Sequence, residues 1–235
     1  MTTKNTVILG VCLILAGGLL GRSLGRGAIQ VKAMDRTVVV KGLAEREVPA
    51  DVVIWPVAFS AADNDLSALY SKLESQSQEV EAVLAAAGIA AADITRDAAQ
   101  VVDKAAQQWG NDKAQFRYTG TQTVTIYSHE VAKVRSARRA VADLGKTGFV
   151  FSADEYNYAA EYLFTGLNEI KPDMVADATR NAREVAEKFA TDSQSSLGKI
   201  RKARQGQFSI SNRDKNNPHI KKVRVVSTVE YYLSD

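Results

Sequence analysis

The chain has 235 residues, 46% of them hydrophobic, which is enough to bury a core and excludes a wholly disordered chain. Thirty basic and 27 acidic residues give a formal charge of +3, which is too small and too mixed to indicate nucleic-acid binding. The single cysteine, Cys12, excludes an internal disulfide and does not identify a redox compartment.

The N-terminus carries an uncharged apolar run, Thr6 to Gly21. Its length of about 16 residues lies between a signal-peptide core and a membrane-spanning helix. A cleaved signal, a lipoprotein signal and an uncleaved anchor are the alternatives. No clear small-residue cleavage site follows the run, and Val11 precedes Cys12 too early in it for a lipoprotein signal. We therefore expect residues 1–30 to form an uncleaved signal anchor.

The charges around this run favour, weakly, an orientation with the downstream side in the cytoplasm. Lys4 precedes the run, and Arg22, Arg26 and Lys32 follow it.

The folded body opens with two long strands, Thr37 to Val48 and Val52 to Ser60, rich in branched and aromatic side chains. The segment Pro49-Ala50-Asp51 between them is typical of a turn, so the pattern predicts a hairpin. An isolated hairpin is unstable in water, so the later elements should cover it.

The next segment predicts an amphipathic helix that starts at Asp63 or Asn64 and ends at Gly88. Its predicted buried face consists of Leu66, Leu69, Tyr70, Leu73, Val80, Val83, Leu84 and Ala87. A strand at Ile94 to Asp103, a polar loop at Ala105 to Ala114 and a strand at Gln115 to Ser128 should follow.

Ser128 then caps a second predicted helix, which has a stripe of valines and ends at Gly145. A third helix should open at Lys171-Pro172, with Met174, Ala178, Ala182, Val185 and Phe189 on its buried side. The remaining predicted elements are strands at Phe149 to Phe151 and Tyr156 to Thr165, a helical turn near Leu197, and strands at Gln207 to Ser211 and Lys222 to Leu233.

The order strand, helix, strand, strand over residues 52–127 recurs over residues 156–233, which suggests an internal duplication. We expect an α+β domain over residues 33–235. It should consist of two similar strand-helix-strand-strand lobes with mainly antiparallel sheet and packed helices, preceded by the N-terminal transmembrane helix.

No motif indicates catalysis, a cofactor or a metal. The segment Ala140 to Thr147 approaches a phosphate-binding loop, but it follows a helix and precedes a strand, the reverse of the order that such a loop needs. His129 and His219 have no carboxylate or cysteine at metal-ligand spacing, so surface or capping roles are expected.

Three carboxylates, Glu45, Glu47 and Asp51, cluster near the predicted turn. They are more typical of a solvated rim than of an acid-base pair. Basic residues form one group on the second helix and another near the C-terminus, and either could meet anionic lipid or an acidic neighbouring subunit. Their members are Arg135, Arg138 and Arg139, then Arg201, Lys202 and Arg204 with Lys221, Lys222 and Arg224.

Two tryptophans differ in their surroundings, because Trp55 lies in an apolar strand and Trp109 in a polar loop. Trp55 should be core, whereas an exposed Trp109 would indicate a contact surface. Pro56 requires an edge or a bulge in its strand.

The chain resembles the SIMPL-domain family of bacterial envelopes. The resemblance rests on VVVKGLAEREVPADVVIW at 38–55, on the helix exit from Gly88 to Thr95, and on ATRNAREVAEKFA with LGKI at 178–200. It implies a periplasmic or membrane-anchored α+β protein that forms ring-like homo-oligomers, has stress-related phenotypes and has no established enzymatic activity. It also favours the periplasmic orientation over the charge bias.

Our leading hypothesis is a non-enzymatic inner-membrane protein, single-pass, whose periplasmic domain self-associates. The alternative is a module that binds a ligand or an envelope protein in a cleft between the two lobes. An enzyme that uses the Glu45, Glu47 and Asp51 rim is the third hypothesis.

Overall fold

The computed structural model describes residues 17–18, 36–106, 115–152 and 158–234. They form an α+β fold with antiparallel sheets and, within the described residues, three α-helices. The helices are α1 (Leu66–Ala86), α2 (Val131–Asp143) and α3 (Leu167–Asp192). The first five strands are β1 (Thr37–Pro49), β2 (Val52–Asp63), β3 (Ile94–Arg96), β4 (Gln100–Asp103) and β5 (Tyr118–Ser128). The others are β6 (Val150–Phe151), β7 (Glu161–Leu163), β8 (Ser196–Gln205), β9 (Ser209–Asn212) and β10 (Ile220–Ser234).

The described chain divides into two compact units. The first unit contains residues 36–46, 170–209 and 224–234, and the second unit contains residues 47–169, where described, and 210–223. Within the described residues, no helix is long and apolar enough to cross a membrane. Apart from Gly17 and Gly18, the predicted anchor lies outside the described residues. The internal duplication stays a prediction.

The strands β1 and β2 are confirmed, but the predicted hairpin is wrong because they belong to different sheets. β1 pairs with β10, whereas β2 pairs with β5 from Val53 opposite Ser128 to Asp63 opposite Tyr118. The link lacks the Asn-Gly or Gly-containing pair that a tight hairpin needs. Instead, the amide of Ala50 donates to the carbonyl of His219, and the amide of Asp51 donates to that of Leu163.

In the first unit, α3 packs on a sheet of β1, β10 and β8 through a stripe of small residues. Ala178, Ala182 and Ala186 are buried, and the helix lies so close to β1 that Gly42 has no room for a side chain. A Cβ at Gly42 would lie 2.9 Å from the Ala182 Cβ and would overlap the Ala178 backbone. The alanines and the glycine together permit this close approach.

Two predictions about α3 are wrong. Val185 and Phe189 are 38% and 55% exposed, because the residues spaced four apart from Met174 to Ala190 contact the sheet instead. The helix also begins at Leu167, so Pro172 lies inside it. The Asp51 carboxylate accepts hydrogen bonds from the Thr165 and Gly166 amides just before this start.

The predicted helical turn near Leu197 is also wrong, because Ser196–Gln205 forms the ten-residue strand β8. Most of its side chains are exposed, so the segment lacks the apolar alternation that indicates a strand. Among the described strands, β8 pairs only with β10, which makes it an edge strand.

In the second unit, β3, β5, β2 and β6 form a sheet, with β4 added to β5 and β7 added to β2. The residues at odd positions from Val53 to Ala61 are buried in a core with α1 and α2. Trp55 is part of this core, as predicted. Gly120 accommodates α1, because a Cβ there would lie 2.6 Å from the Leu73 side chain.

The ends of the first two helices correct the sequence analysis in detail. Asp65, rather than Asp63 or Asn64, caps α1, and its carboxylate accepts from the Ala68 amide at 2.7 Å. The left-handed Gly88 after α1 is confirmed, whereas Gly148 takes the left-handed conformation after α2 instead of Gly145. Leu66 and Tyr70 are exposed, because the buried row of α1 runs through Leu69, Leu73, Gln76, Ser77, Val80 and Leu84.

The predicted strand Ile94 to Asp103 is two short strands, β3 and β4, and both pair with β5. The Asp97 amide between them still donates to the Thr123 carbonyl. Of the strand predicted at Tyr156 to Thr165, the described residues contain only the short strand β7 (Glu161–Leu163).

Candidate functional site

The second unit contains a cleft of about 870 Å³, and every described residue that lines it belongs to that unit. We call it the β7–β9 cleft, because its walls come from the segment 159–165 that contains β7 and from β9. Ile54 and Pro56 of β2, together with Pro218 and Lys221, complete the lining.

The alternation of β2 explains the apolar part of this cleft. Residues at odd positions of β2 enter the core under α1 and α2, so Ile54 and Pro56 point to the opposite face of the sheet. β7 pairs with β2 only as far as Ile54, and β6 resumes the pairing at Phe59. Proline has no amide to donate, so Pro56 suits a stretch of β2 without a strand partner on this side.

Lys221 is the buried charged residue of the cleft. The residue is 8% exposed, and its ammonium donates a hydrogen bond to the Asn212 side-chain oxygen. Asn212 is the only hydrogen-bond partner of this ammonium among the described residues. Burial lowers the pKa of Lys221 below its ordinary value, and the charge of Glu161 partly opposes this effect.

Tyr162 lines the cleft and packs against His219. Tyr162 is buried, and the His219 ring lies edge-on to it at a centroid distance of 6.1 Å. Burial lowers the pKa of His219, and the charges of Arg135 and Arg213 lower it further. The lowered pKa favours the neutral form of the imidazole, which suits a packing residue.

The predicted carboxylate rim separates into three side chains with different partners. Glu45 lies 3.5 Å from Arg224, and Glu47 lies 3.7 Å from Arg213. The Asp51 carboxylate accepts hydrogen bonds from the Thr165 amide and hydroxyl at 2.8 and 3.0 Å. Asp51 thus holds the chain in place before α3.

His129 and the phosphate-loop-like segment make contacts within the described part of the protein. The His129 ring nitrogen lies 3.2 Å from the Asp51 carbonyl oxygen. Within the described ranges, no group of His, Cys, Asp or Glu side chains could hold a metal ion. Lys146 of the phosphate-loop-like segment forms an ion pair with Asp143 at 2.6 Å.

The predicted basic groups are distributed over different elements. Arg201, Lys202 and Arg204 lie on the edge strand β8. On α2, the Arg138 guanidinium lies over the Trp55 ring, 5.8 Å from its centroid. Lys221 was predicted to be one of a surface group but is buried instead, and Trp109 lies outside the described residues.

The sequence places Lys221 in a basic group and offers a cleft between lobes, but it does not predict that Lys221 is buried or which residues line the cleft. A signal was present, because the inward positions of β10 run through Val223, Val225, Ser227 and Val229 at a spacing of two, and Lys221 continues this row. The predicted strand began at Lys222, one residue too late to include it.

The SIMPL family model, described as a protein of unknown function (DUF541), matches residues 38–230. No curated protein matches the chain. The matched range covers both units and most of the chain, so the chain belongs to the SIMPL family.

Proposed function

We propose that this protein is a non-enzymatic, single-pass protein of the inner membrane whose folded domain lies in the periplasm and assembles into a homo-oligomer. A role in the envelope or in a stress response is consistent with the family resemblance. The uncharged run from Thr6 to Gly21 supports the membrane anchor.

The observation that carries the assembly proposal is the long exposed edge of β8. The strand has ten residues and pairs with β10 alone among the described strands. Ile200 on it is 47% exposed. An exposed edge of this length offers unpaired backbone groups that can pair with another chain.

The charges of β8 indicate what kind of contact this would be. Lys199, Lys202 and Arg204 give the strand a positive character, while Arg201 forms an ion pair with Glu230 of β10. Pairing β8 with β8 of a second copy would bring like charges together, which is unfavourable. We therefore propose that β8 contacts a different, acidic surface of the next copy.

Helix α3 of the same unit presents two exposed carboxylates on either side of the exposed Lys188. Glu184 and Asp192 are exposed there, and neither has an ion-pair partner among the described residues. Phe189 adds an exposed apolar contact on the same helix. A contact between two different surfaces repeats from copy to copy and closes into a ring when the rotation permits.

The test is a charge reversal on β8 in the full-length protein in nonionic detergent. Lys202→Glu with Arg204→Glu should lower the native mass, measured by light scattering, towards that of one chain. Lys72→Glu with Arg139→Glu is the matched control, since both residues are exposed in the second unit and have no ion-pair partner among the described residues. Equal masses for both variants and the wild type would contradict the proposal.

The periplasmic location of the folded domain is tested by adding protease to intact spheroplasts. The proposal predicts digestion of the folded domain from outside, and full protection would contradict it.

The β7–β9 cleft favours the second candidate function, the binding of a ligand or an envelope protein. It is lined by residues of both ranges in the predicted duplication, 52–127 and 156–233, and contains a buried lysine. The binding experiment below tests this candidate.

A further inference from the structure

We propose that the β7–β9 cleft binds an extended, apolar peptide segment that carries a carboxylate, and that the carboxylate meets the ammonium of Lys221. This inference rests on the second candidate function, for which it names the ligand. It is independent of the assembly proposal, which rests on β8 in the first unit.

The first step is the incomplete pairing of Lys221. An ammonium group has three N–H donors, and among the described residues only Asn212 accepts from it. No carboxylate within those residues lies within ion-pair distance of it, although Glu161 is near enough to influence its pKa. A buried cation without a counter-ion is costly. A ligand carboxylate in the cleft would supply the missing charge and acceptors.

The second step is that two strands with an unpaired edge, β7 and β9, contribute residues to the lining of the same cleft. β7 pairs with β2 and β9 pairs with β10, and neither has another partner among the described strands. Their free edges present backbone donors and acceptors to an incoming chain. An extended peptide uses such groups by adding itself as a strand, which a fatty acid cannot do.

The third step is the apolar lining. Ile54, Pro56, Phe164 and Ile210 line the cleft. The cleft volume of about 870 Å³ lies in the upper part of the range of roughly 300–1,000 Å³ that is typical of ligand pockets. It therefore has room for several residues of a peptide, with alternate side chains against the lining.

The experiment measures fluorescence anisotropy with the full-length protein in nonionic detergent. The probe is a hexapeptide of alternating threonine and valine with a free C-terminal carboxylate, labelled at its N-terminus with BODIPY, a dye that has no carboxylate of its own. The same peptide with a C-terminal amide is the charge control, and unlabelled decanoate is the competing small carboxylate.

We expect the carboxylate peptide to bind at least tenfold more tightly than the amide, since a charge-assisted hydrogen bond is stronger than a neutral one. Lys221→Met should remove this discrimination. Lys215→Met, the same change at an exposed residue of the second unit, should preserve it. The discrimination should also fade as the pH rises and the ammonium loses its proton.

Three results would overturn the inference. The first is no binding of the carboxylate peptide at 1 mM, and the second is equal binding of acid and amide by the wild type. The third is that decanoate binds at least as tightly as the peptide and displaces it, which would mean that the peptide backbone contributes nothing. The acid-to-amide comparison uses wild-type protein, so it holds even if Lys221→Met fails to fold. Light scattering on the same samples separates the peptide-binding inference from the assembly proposal. Assembly of the protein without peptide binding refutes only the inference, and peptide binding by a monomeric protein refutes only the assembly proposal.

Discussion

Replacing Gly42 tests how closely α3 packs on the sheet of the first unit. An alanine Cβ at this position would overlap the Ala178 backbone and lie 2.9 Å from the Ala182 Cβ. Overpacking typically costs about 1–3 kcal/mol. Backbone atoms of a packed helix cannot turn away as a side chain can, so we expect Gly42→Ala to cost about 3 kcal/mol, the upper end of that range.

This free energy corresponds to a loss of about 6–12 °C in Tm, at roughly 2–4 °C per kcal/mol for a domain of this size. Thermal unfolding followed by circular dichroism measures it. Gly145→Ala is the matched control, because a Cβ there has no neighbour within 4 Å and the residue has no positive φ. The control should gain about 0.4–1 kcal/mol from a less flexible unfolded chain. Equal melting temperatures for the two variants would refute the packing described for α3.

Three other predictions concern stability. Asp51→Ala should lower the free energy of unfolding by about 0.5–2 kcal/mol in urea unfolding, because it removes the acceptor at the start of α3, and an unchanged value would contradict that role. Lys221→Met should melt at or above the wild-type Tm at pH 7, since burial lowers the lysine pKa and the charged form of the lysine opposes folding. This gain in Tm should shrink as the pH approaches 10, and a large loss of Tm at pH 7 would show that Lys221 has a structural role. The Arg96 hydrogen bond lowers the pKa of Glu74, so the contribution of this pair to stability is present above pH 4.5 and is lost as the pH falls through the lowered pKa. Arg96→Met should therefore flatten the fall in Tm with acid, and an unchanged dependence of Tm on acid pH would refute this pairing.

The sequence predicts well those elements whose side chains alternate between core and solvent. β1, β2, β5 and β10 appear close to their predicted bounds because each buries every second residue on one side. The sequence pattern does not predict which strands pair with each other. The pattern of β1 and β2 suits pairing with any strand, so a short link between them suggested a hairpin that the two sheets do not contain.

Two other errors arise from residues that bury little apolar surface. β8 is an edge strand with mostly exposed side chains, so no alternation marks Lys199 to Arg204 as a strand. On α3, the larger Val185 and Phe189 suggested the buried face, but the alanine row can approach β1 because Gly42 has no side chain. That choice depends on a contact between distant segments, which helix periodicity does not contain.

The cleft could be predicted only in part. The alternation of buried side chains along β10 would have placed Lys221 on the buried side of the strand. Its partner Asn212 and the apolar residues Ile54 and Pro56, however, come from other segments. Their meeting depends on the pairing of β7 with β2 and of β9 with β10. A cleft of this kind follows from topology rather than from a local motif.

The native mass of the full-length protein in nonionic detergent, measured by light scattering beside the chain from Ala33 to Asp235, tests the central proposal most directly. The account predicts a closed multiple of the single chain in both samples and its loss when Lys202 and Arg204 on β8 are reversed in charge. Assembly of the full-length protein alone would place the contact in the N-terminal anchor. A monomer in both samples would contradict the assembly proposal and leave peptide binding in the β7–β9 cleft as the function to pursue.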